Sequence, residues 1–173
     1  MKTAFFQSFE DSSDREETPL RLSMVQTELK KNNLSGYLVP RSDVHQGEYV
    51  AACDERLSWL TGFTGSAGIC IVGNDRAGVF VDGRYSIQAK KQTKSPFEVI
   101  QWNKKSFLQW IEKNIVKGEI GFDPWLHSHK DIISLSEAFT STRISFAPSH
   151  NLIDKVWLAR PPKTFNKVMN YPV

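Results

Sequence analysis

The chain has 173 residues, of which 40% are hydrophobic and 24% charged, a balance that can fill one sizeable core and belongs to an ordinary globular domain. The net charge is +3, and no run of lysine and arginine exceeds two residues, so the basic footprint that a nucleic-acid partner requires is missing. No apolar run approaches the ~20 residues of a membrane span, which excludes a membrane helix.

The opening "MKTAFFQSFEDSSDREETP" lacks the continuous apolar region of a signal peptide and carries acids that transit peptides avoid, so a cytoplasmic address is expected. Residues 1–17 read as a flexible, polar, acidic lead. "TPLRLSMVQTELKKNNLSG" then predicts a helix with Thr18 as N-cap, Pro19 at the first helical position and Leu22, Val25 and Leu29 on one face. Gly36 is its expected stop. "YLVP" reads as a short strand. "RSDVHQGEYVAACD" is a polar loop, where exposed chemistry is expected, and leads to a brief helix around "ERLSWLTGF". Cys53 and Cys70 have no C-x-x-C spacing and read as small buried hydrophobes of a reducing compartment.

"AGICIVG" and "AGVFVDG", separated by "NDR", form the pattern of a hairpin buried on both faces, hence of two central strands. "RYSIQAKKQTK" predicts a helix of weak amphipathicity and "FEVIQW" a strand. "SFLQWIEKNIVKG" predicts a strong helix in which Ser106 and Gln109 have capping-box spacing and Phe107, Leu108, Ile111 and Ile115 form the apolar stripe. "EIGFD" is another strand, "SHKDIISLSEAF" a helix with Ser128 and Asp131 at its start, and "RISFAP" a strand that turns Ile144 and Phe146 inward. Asn151 can cap a short helix carrying Ile153, Val156 and Trp157, which Arg160-Pro161-Pro162 breaks. The alternation calls for one α/β domain over residues 18–158, a three-layer mixed sheet covered by helices on both faces. Residues 159–173 read as a linker toward a further domain.

Chemical motifs are few. Gly62, Gly65 and Gly68 fit neither a dinucleotide fingerprint nor a phosphate loop, because the β-branched "ICIVG" after them is a strand and supplies no helix N-terminus. "TGSAG" misses the G-x-S-x-G nucleophile elbow, which runs from strand to helix. A structural corner, with glycines free to adopt positive φ, is the expectation, and Ser66 is not expected to be catalytic. His127 and His129 in "WLHSHKD" lack both the H-x-x-x-H helical spacing and a carboxylate set and read as surface or capping histidines. Asp82 and Arg84 sit where a buried strand ends, the place where α/β folds put ligand contacts. Arg84 could offer its planar fork to a carboxylate or carbonyl, or the two could form an ordinary surface pair.

Four motifs are shared with a known family: D-x-H-Q-x-E-Y (Asp43 to Tyr49), Cys53-Asp54, G-F-x-G-S-A-G (Gly62 to Gly68) and D-G-R-Y (Asp82 to Tyr85). With them, roughly residues 18 to 162 resemble the N-terminal domain of the Xaa-Pro aminopeptidases, the aminopeptidase P branch of the creatinase and prolidase family. The resemblance implies a layered fold related to the ribonuclease H topology. It implies a parent metallopeptidase, a hydrolase that releases an N-terminal residue preceding proline. Two divalent metals, usually manganese, would lie in a C-terminal domain on two Asp, one His and two Glu that this sequence does not contain. This domain would border the substrate entrance, with the downstream domain of the same chain and a proline-containing peptide as its partners and a homodimer as a possible assembly of the full-length protein. Arg84, the arginine of D-G-R-Y, is the residue the resemblance implies as a substrate contact that orients the peptide. No catalytic residue and no metal ligand is expected in the chain itself. The other reading is a free-standing protein-interaction module without peptidase activity.

Overall fold

Pro19 stands in the first turn of helix α1 (Thr18–Lys31), where its missing N–H leaves no hydrogen bond unmade. The computed structural model describes residues 13–164; residues 1–12 of the expected lead and 165–173 of the expected linker lie outside the described residues. Thr18 is not the N-cap: Glu17 takes that position, and Thr18 is drawn into the helix, fully buried, with its hydroxyl donating to the Arg15 carbonyl at 2.8 Å. Residues 13–16 lie against the domain, Ser13 donating to the Gly62 carbonyl, Arg15 to the Lys91 carbonyl, and Glu16 pairing with Lys94. α1 also ends before the expected glycine. It stops at Lys31, and Asn33 takes the left-handed turn at φ 55°. Gly36 instead opens strand β1 (Gly36–Pro40), where a Cβ would stand 2.7 Å from Ile115 Cδ1.

The polar loop ends in a short 3-10 turn (Ala52–Asp54), and helix α2 (Arg56–Thr61) follows it. Strands β2 (Gly68–Gly73) and β3 (Ala77–Val81) form the expected antiparallel hairpin, with Ile69 opposite Phe80. Next come helix α3 (Ser86–Gln92), strand β4 (Phe97–Gln101), helix α4 (Lys104–Asn114) and strand β5 (Gly118–Phe122). Helix α5 (His129–Ala138), strand β6 (Ile144–Pro148) and helix α6 (Leu152–Val156) complete the described chain. The six strands form one mixed sheet in the order β4-β3-β2-β1-β5-β6, parallel except where β2 meets β1 and β3.

Alternation along the central strands sorts the core into two layers. Tyr37, Val39, Cys70, Val72, Val79 and Val81 face Leu22, Val25, Leu57, Leu60, Leu152 and Ile153 from α1, α2 and α6. Leu38, Ile71, Phe80 and Ile120 face Phe107, Ile111 and Phe139 from α4 and the end of α5. The sheet is thus covered on both faces, as expected. Burial of Cys70 pushes its thiol pKa up, since nothing in the core solvates a thiolate.

In α4 the cap differs from the sequence pattern. Asn103 accepts from the Ser106 N–H at 2.8 Å while the Ser106 hydroxyl faces the Asn103 N–H, so the box is Asn103/Ser106 and not Ser106/Gln109. The cap therefore stands three residues earlier, and Trp110 joins Phe107 and Ile111 in the core, with its indole N–H donating to Glu98 at 2.8 Å, while Leu108 packs half-buried against it. Phe80 stands edge-on to Phe107 and Trp110, with centroids 4.9 Å and 6.2 Å away. Ser128 and Asn151 cap α5 and α6 as the sequence indicates. Every parallel strand points the same way, so the carboxyl ends of β1, β3, β4, β5 and β6 share one rim with the start of β2.

Candidate functional site

That rim collects the D-x-H-Q-x-E-Y loop, the end of the glycine stretch and the D-G-R-Y turn, because the chain reverses there after β1, before β2 and after β3. In the first loop, Asp43 turns its carboxylate on its own backbone. Oδ1 accepts from the Gly47 N–H at 3.1 Å and the His45 N–H at 2.9 Å, and these bonds hold its pKa below the ordinary carboxylate range. His45 and Tyr49 project outward, Tyr49 being 90% exposed.

Arg41 braces this loop. Its Nη1 donates to the carbonyls of Glu48 (3.0 Å) and Ser66 (3.3 Å), and its Nη2 pairs with Glu55 at 3.1 Å. Burial pushes the Glu55 pKa up, against the pull of Arg41. In the sequence Arg41 is simply the first residue of a polar loop. Its signal is positional: an arginine directly after a buried strand whose long side chain reaches two other loops.

The glycine stretch is a corner, but only partly for the expected reason. Gly62 alone of the three has positive φ, at 79°, and ends α2 in the left-handed conformation. Gly65 is required by space instead, since a Cβ there would lie 2.2 Å from Phe63 Cζ. Gln92 holds the stretch from below, its amide accepting from the Thr64 N–H at 3.0 Å and donating to the Thr64 hydroxyl at 2.8 Å. Ser66 shares a hydrogen bond of 2.6 Å with the Tyr85 hydroxyl. Its partner is a phenol and not an imidazole, so the pair contains no base of the kind that activates a serine.

At the end of β3, Asp82 accepts from both the Arg84 N–H (3.0 Å) and Nε (2.9 Å), and the guanidinium lies 5.6 Å from the Tyr85 ring centroid. The ordinary surface pair therefore exists, and the Arg84 hydrogen bond holds the Asp82 pKa low. Arg84 is nevertheless 74% exposed along its side chain. Nε is committed to Asp82, while the Nη edge of the fork has no hydrogen-bond partner among the described residues.

Between these loops and the starts of α4 and α5 lies a cleft of about 470 Å³ with an apolar floor of Ile69, Phe80, Phe107 and Leu126 and with Trp102 and Asp82 at its edge. His127 reaches this cleft half-buried, edge-on to Phe122 at 5.8 Å, and burial pushes its pKa down to about 4. His129 is exposed on the first turn of α5, so the two histidines diverge. Among the described residues no three of His, Cys, Asp and Glu converge as a metal-ligand group, and no helix is long and apolar enough to cross a membrane.

Comparison with known proteins assigns this arrangement. The Creatinase/Prolidase N-terminal domain model matches residues 21–156. The chain belongs to that family. This creatinase/prolidase N-terminal domain is 36% identical over 149 residues to Xaa-Pro aminopeptidase 2 of Rattus norvegicus, covering 84% of the chain and 22% of the relative. It is 34% identical over 162 residues to a probable Xaa-Pro aminopeptidase P of Talaromyces stipitatus, covering 90% and 25%. The chain therefore spans about a quarter of the length of these curated relatives. Among solved structures, X-prolyl aminopeptidase from Caenorhabditis elegans, described as a cytosolic enzyme with a di-nuclear active site, matches with TM-score 0.75 and 25% identity over 84% of this chain and 26% of its own. The N-terminal domain of cytoplasmic peptidase PepQ from Mycobacterium tuberculosis shares the fold, with TM-score 0.63 and 20% identity over 79% of this chain and 98% of its own.

Proposed function

We propose that this domain is the non-catalytic N-terminal part of a metal-dependent Xaa-Pro aminopeptidase and forms a wall of the substrate entrance. The observation that carries the reading is the match of nearly the whole domain to about a quarter of each Xaa-Pro aminopeptidase relative. The divalent metals, manganese by the family resemblance, belong to the polypeptide beyond this domain. Their chemistry there is activation of water for attack on the scissile amide. Arg84 binds the peptide: its open Nη edge can donate two parallel hydrogen bonds to a carboxylate, or converge on a carbonyl oxygen, while Asp82 and the Tyr85 ring keep the fork oriented. This contact places the substrate and moves no proton. The cytosolic description of the Caenorhabditis elegans relative supports a cytoplasmic address.

The test is hydrolysis of an Xaa-Pro peptide with added Mn²⁺ by residues 1–173 and by the encoded polypeptide extended through a metal-binding domain. The expected result is no release by the former and release by the latter. In the extended protein Arg84→Ala should raise KM about tenfold with a smaller change in kcat, the signature of lost ground-state binding. Mn²⁺-dependent cleavage by residues 1–173 alone, or an extended protein indifferent to Arg84, overturns the corresponding half of the proposal.

A further inference from the structure

Four charged side chains from separate parts of the chain close a ring on the helical face built by α2 and α6. Asp54 Oδ1 accepts from Arg56 Nη1 at 2.9 Å and from Arg160 Nη2 at 2.9 Å. Asp154 receives Arg56 through both oxygens, Nε at 2.7 Å and Nη2 at 3.0 Å, and pairs with Arg160 Nη1 at 2.6 Å. Arg160 Nε also donates to the Cys53 carbonyl. Arg56 and Asp54 are buried at 5% and 9% exposure. Burying such charges is unfavourable unless each finds a partner, and this ring satisfies both carboxylates with both guanidiniums.

A ring of this kind contributes geometry more than stability, since an apolar replacement of equal volume is often as stable. Its geometry has two ends. On one side, Asp54 is followed by Glu55, which holds the Arg41 brace and through it the carbonyls of Glu48 and Ser66 on the rim. On the other, Arg160 follows Trp157, stacked on Trp59 at 5.4 Å and 20°, and precedes Pro161 and Pro162. Consecutive prolines fix φ and keep the backbone extended, so a direction set at Arg160 persists over the next residues.

We propose that Asp54, Arg56, Asp154 and Arg160 form a positioning clasp that ties the exit segment to the same Asp54–Glu55 turn that braces the rim. Residues 163 and 164 then leave the domain from a fixed place and on a fixed heading relative to the cleft. The clasp stands on this geometry alone and does not depend on the peptidase reading. Arg160 is its member from the exit segment, with 23% side-chain exposure. Removing it leaves Asp54 and Asp154 paired with Arg56, so the domain core should survive the substitution.

The experiment is amide hydrogen exchange on the 173-residue chain and its Arg160→Ala variant, with Arg160→Met, which keeps part of the aliphatic stem, as the second variant if alanine does not fold. Exchange over residues 157–164 should accelerate about tenfold, with a smaller acceleration over 48–55 and no change in the β2–β3 hairpin, as local and not global opening. Unchanged exchange over 157–164 in a folded variant overturns the clasp. So does a uniform acceleration across the whole domain, which would make the ring a stability element only.

Discussion

The hydroxyl of Ser66 stands 2.6 Å from the hydroxyl of Tyr85, and this one bond joins the glycine corner to the D-G-R-Y motif across the rim. Two further contacts hold Tyr85. Arg84 lies over its face at 5.6 Å, and Phe63 meets it edge-on at 5.7 Å and 72°. The orientation of Arg84 thus depends on a ring that the corner holds, which explains how a stretch without chemistry of its own serves a binding wall.

A double-mutant cycle measures that link. Tyr85→Phe and Ser66→Ala should each lower stability by about 0.5–1 kcal/mol in urea unfolding, and the double variant should cost less than the sum because both remove the same bond. Strict additivity would show that the hydroxyls do not pair in solution.

Gly65 makes the corner possible by leaving room for Phe63. Gly65→Ala forces a methyl group within 2.2 Å of Phe63 Cζ and 2.9 Å of Tyr85 Cδ1, so the buried Phe63 must leave its place. The expected loss is about 1–3 kcal/mol, as for other overpacked cores. Near-UV circular dichroism should change, as it reports the Phe63–Tyr85 contact, while far-UV ellipticity should hold. A variant as stable as the parent would place the space for a methyl elsewhere.

Much of this fold is legible in the sequence where one pattern fixes one answer. The hairpin follows from two β-branched runs with a polar break, and α6 follows from Asn151 and the prolines after it. The helix starts are less legible. Asn103 outcompetes Ser106 as a cap because its carboxamide accepts from the Ser106 N–H while its extended backbone leaves it outside the helix, a choice that spacing alone does not make. The glycine stretch shows the same limit: Gly65 is small because Phe63 folds back on it, a contact without any local signature. The Arg56–Asp154 pair spans 98 residues, and no periodicity connects its members. The motif residues Asp43, Ser66 and Arg84 do gather at one rim, because strand order and not sequence distance decides which loops are neighbours.

Arg84 should be dispensable for stability. It is exposed, and its pair with Asp82 is screened by solvent. Arg84→Ala should leave the melting temperature and the far-UV spectrum unchanged at low and high salt. A clear drop in melting temperature would mean that its side chain supports the fold, and loss of activity in a longer protein could then not be read as loss of binding.

His127 gives the domain a defined acid sensitivity. Its pKa is pushed from the ordinary value near 6.5 down to about 4 by burial beside Phe122, and its Nε2 is buried without a partner that could stabilise the charged form. The unfolded chain therefore binds a proton at this site between about pH 6.5 and pH 4 while the folded chain does not. Stability must rise with pH across that window and fall on acidification through it. Below pH 4 both states are protonated and the contribution levels off. Allowing for partial exposure, the loss between pH 7.5 and pH 4 should be about 2 kcal/mol. His127→Gln, which cannot titrate, should flatten this part of the urea-unfolding profile, and the wild-type imidazole should titrate near pH 4 by NMR. A wild-type His127 that titrates near pH 6.5, or a variant with the same acid slope, would locate the sensitivity in other groups.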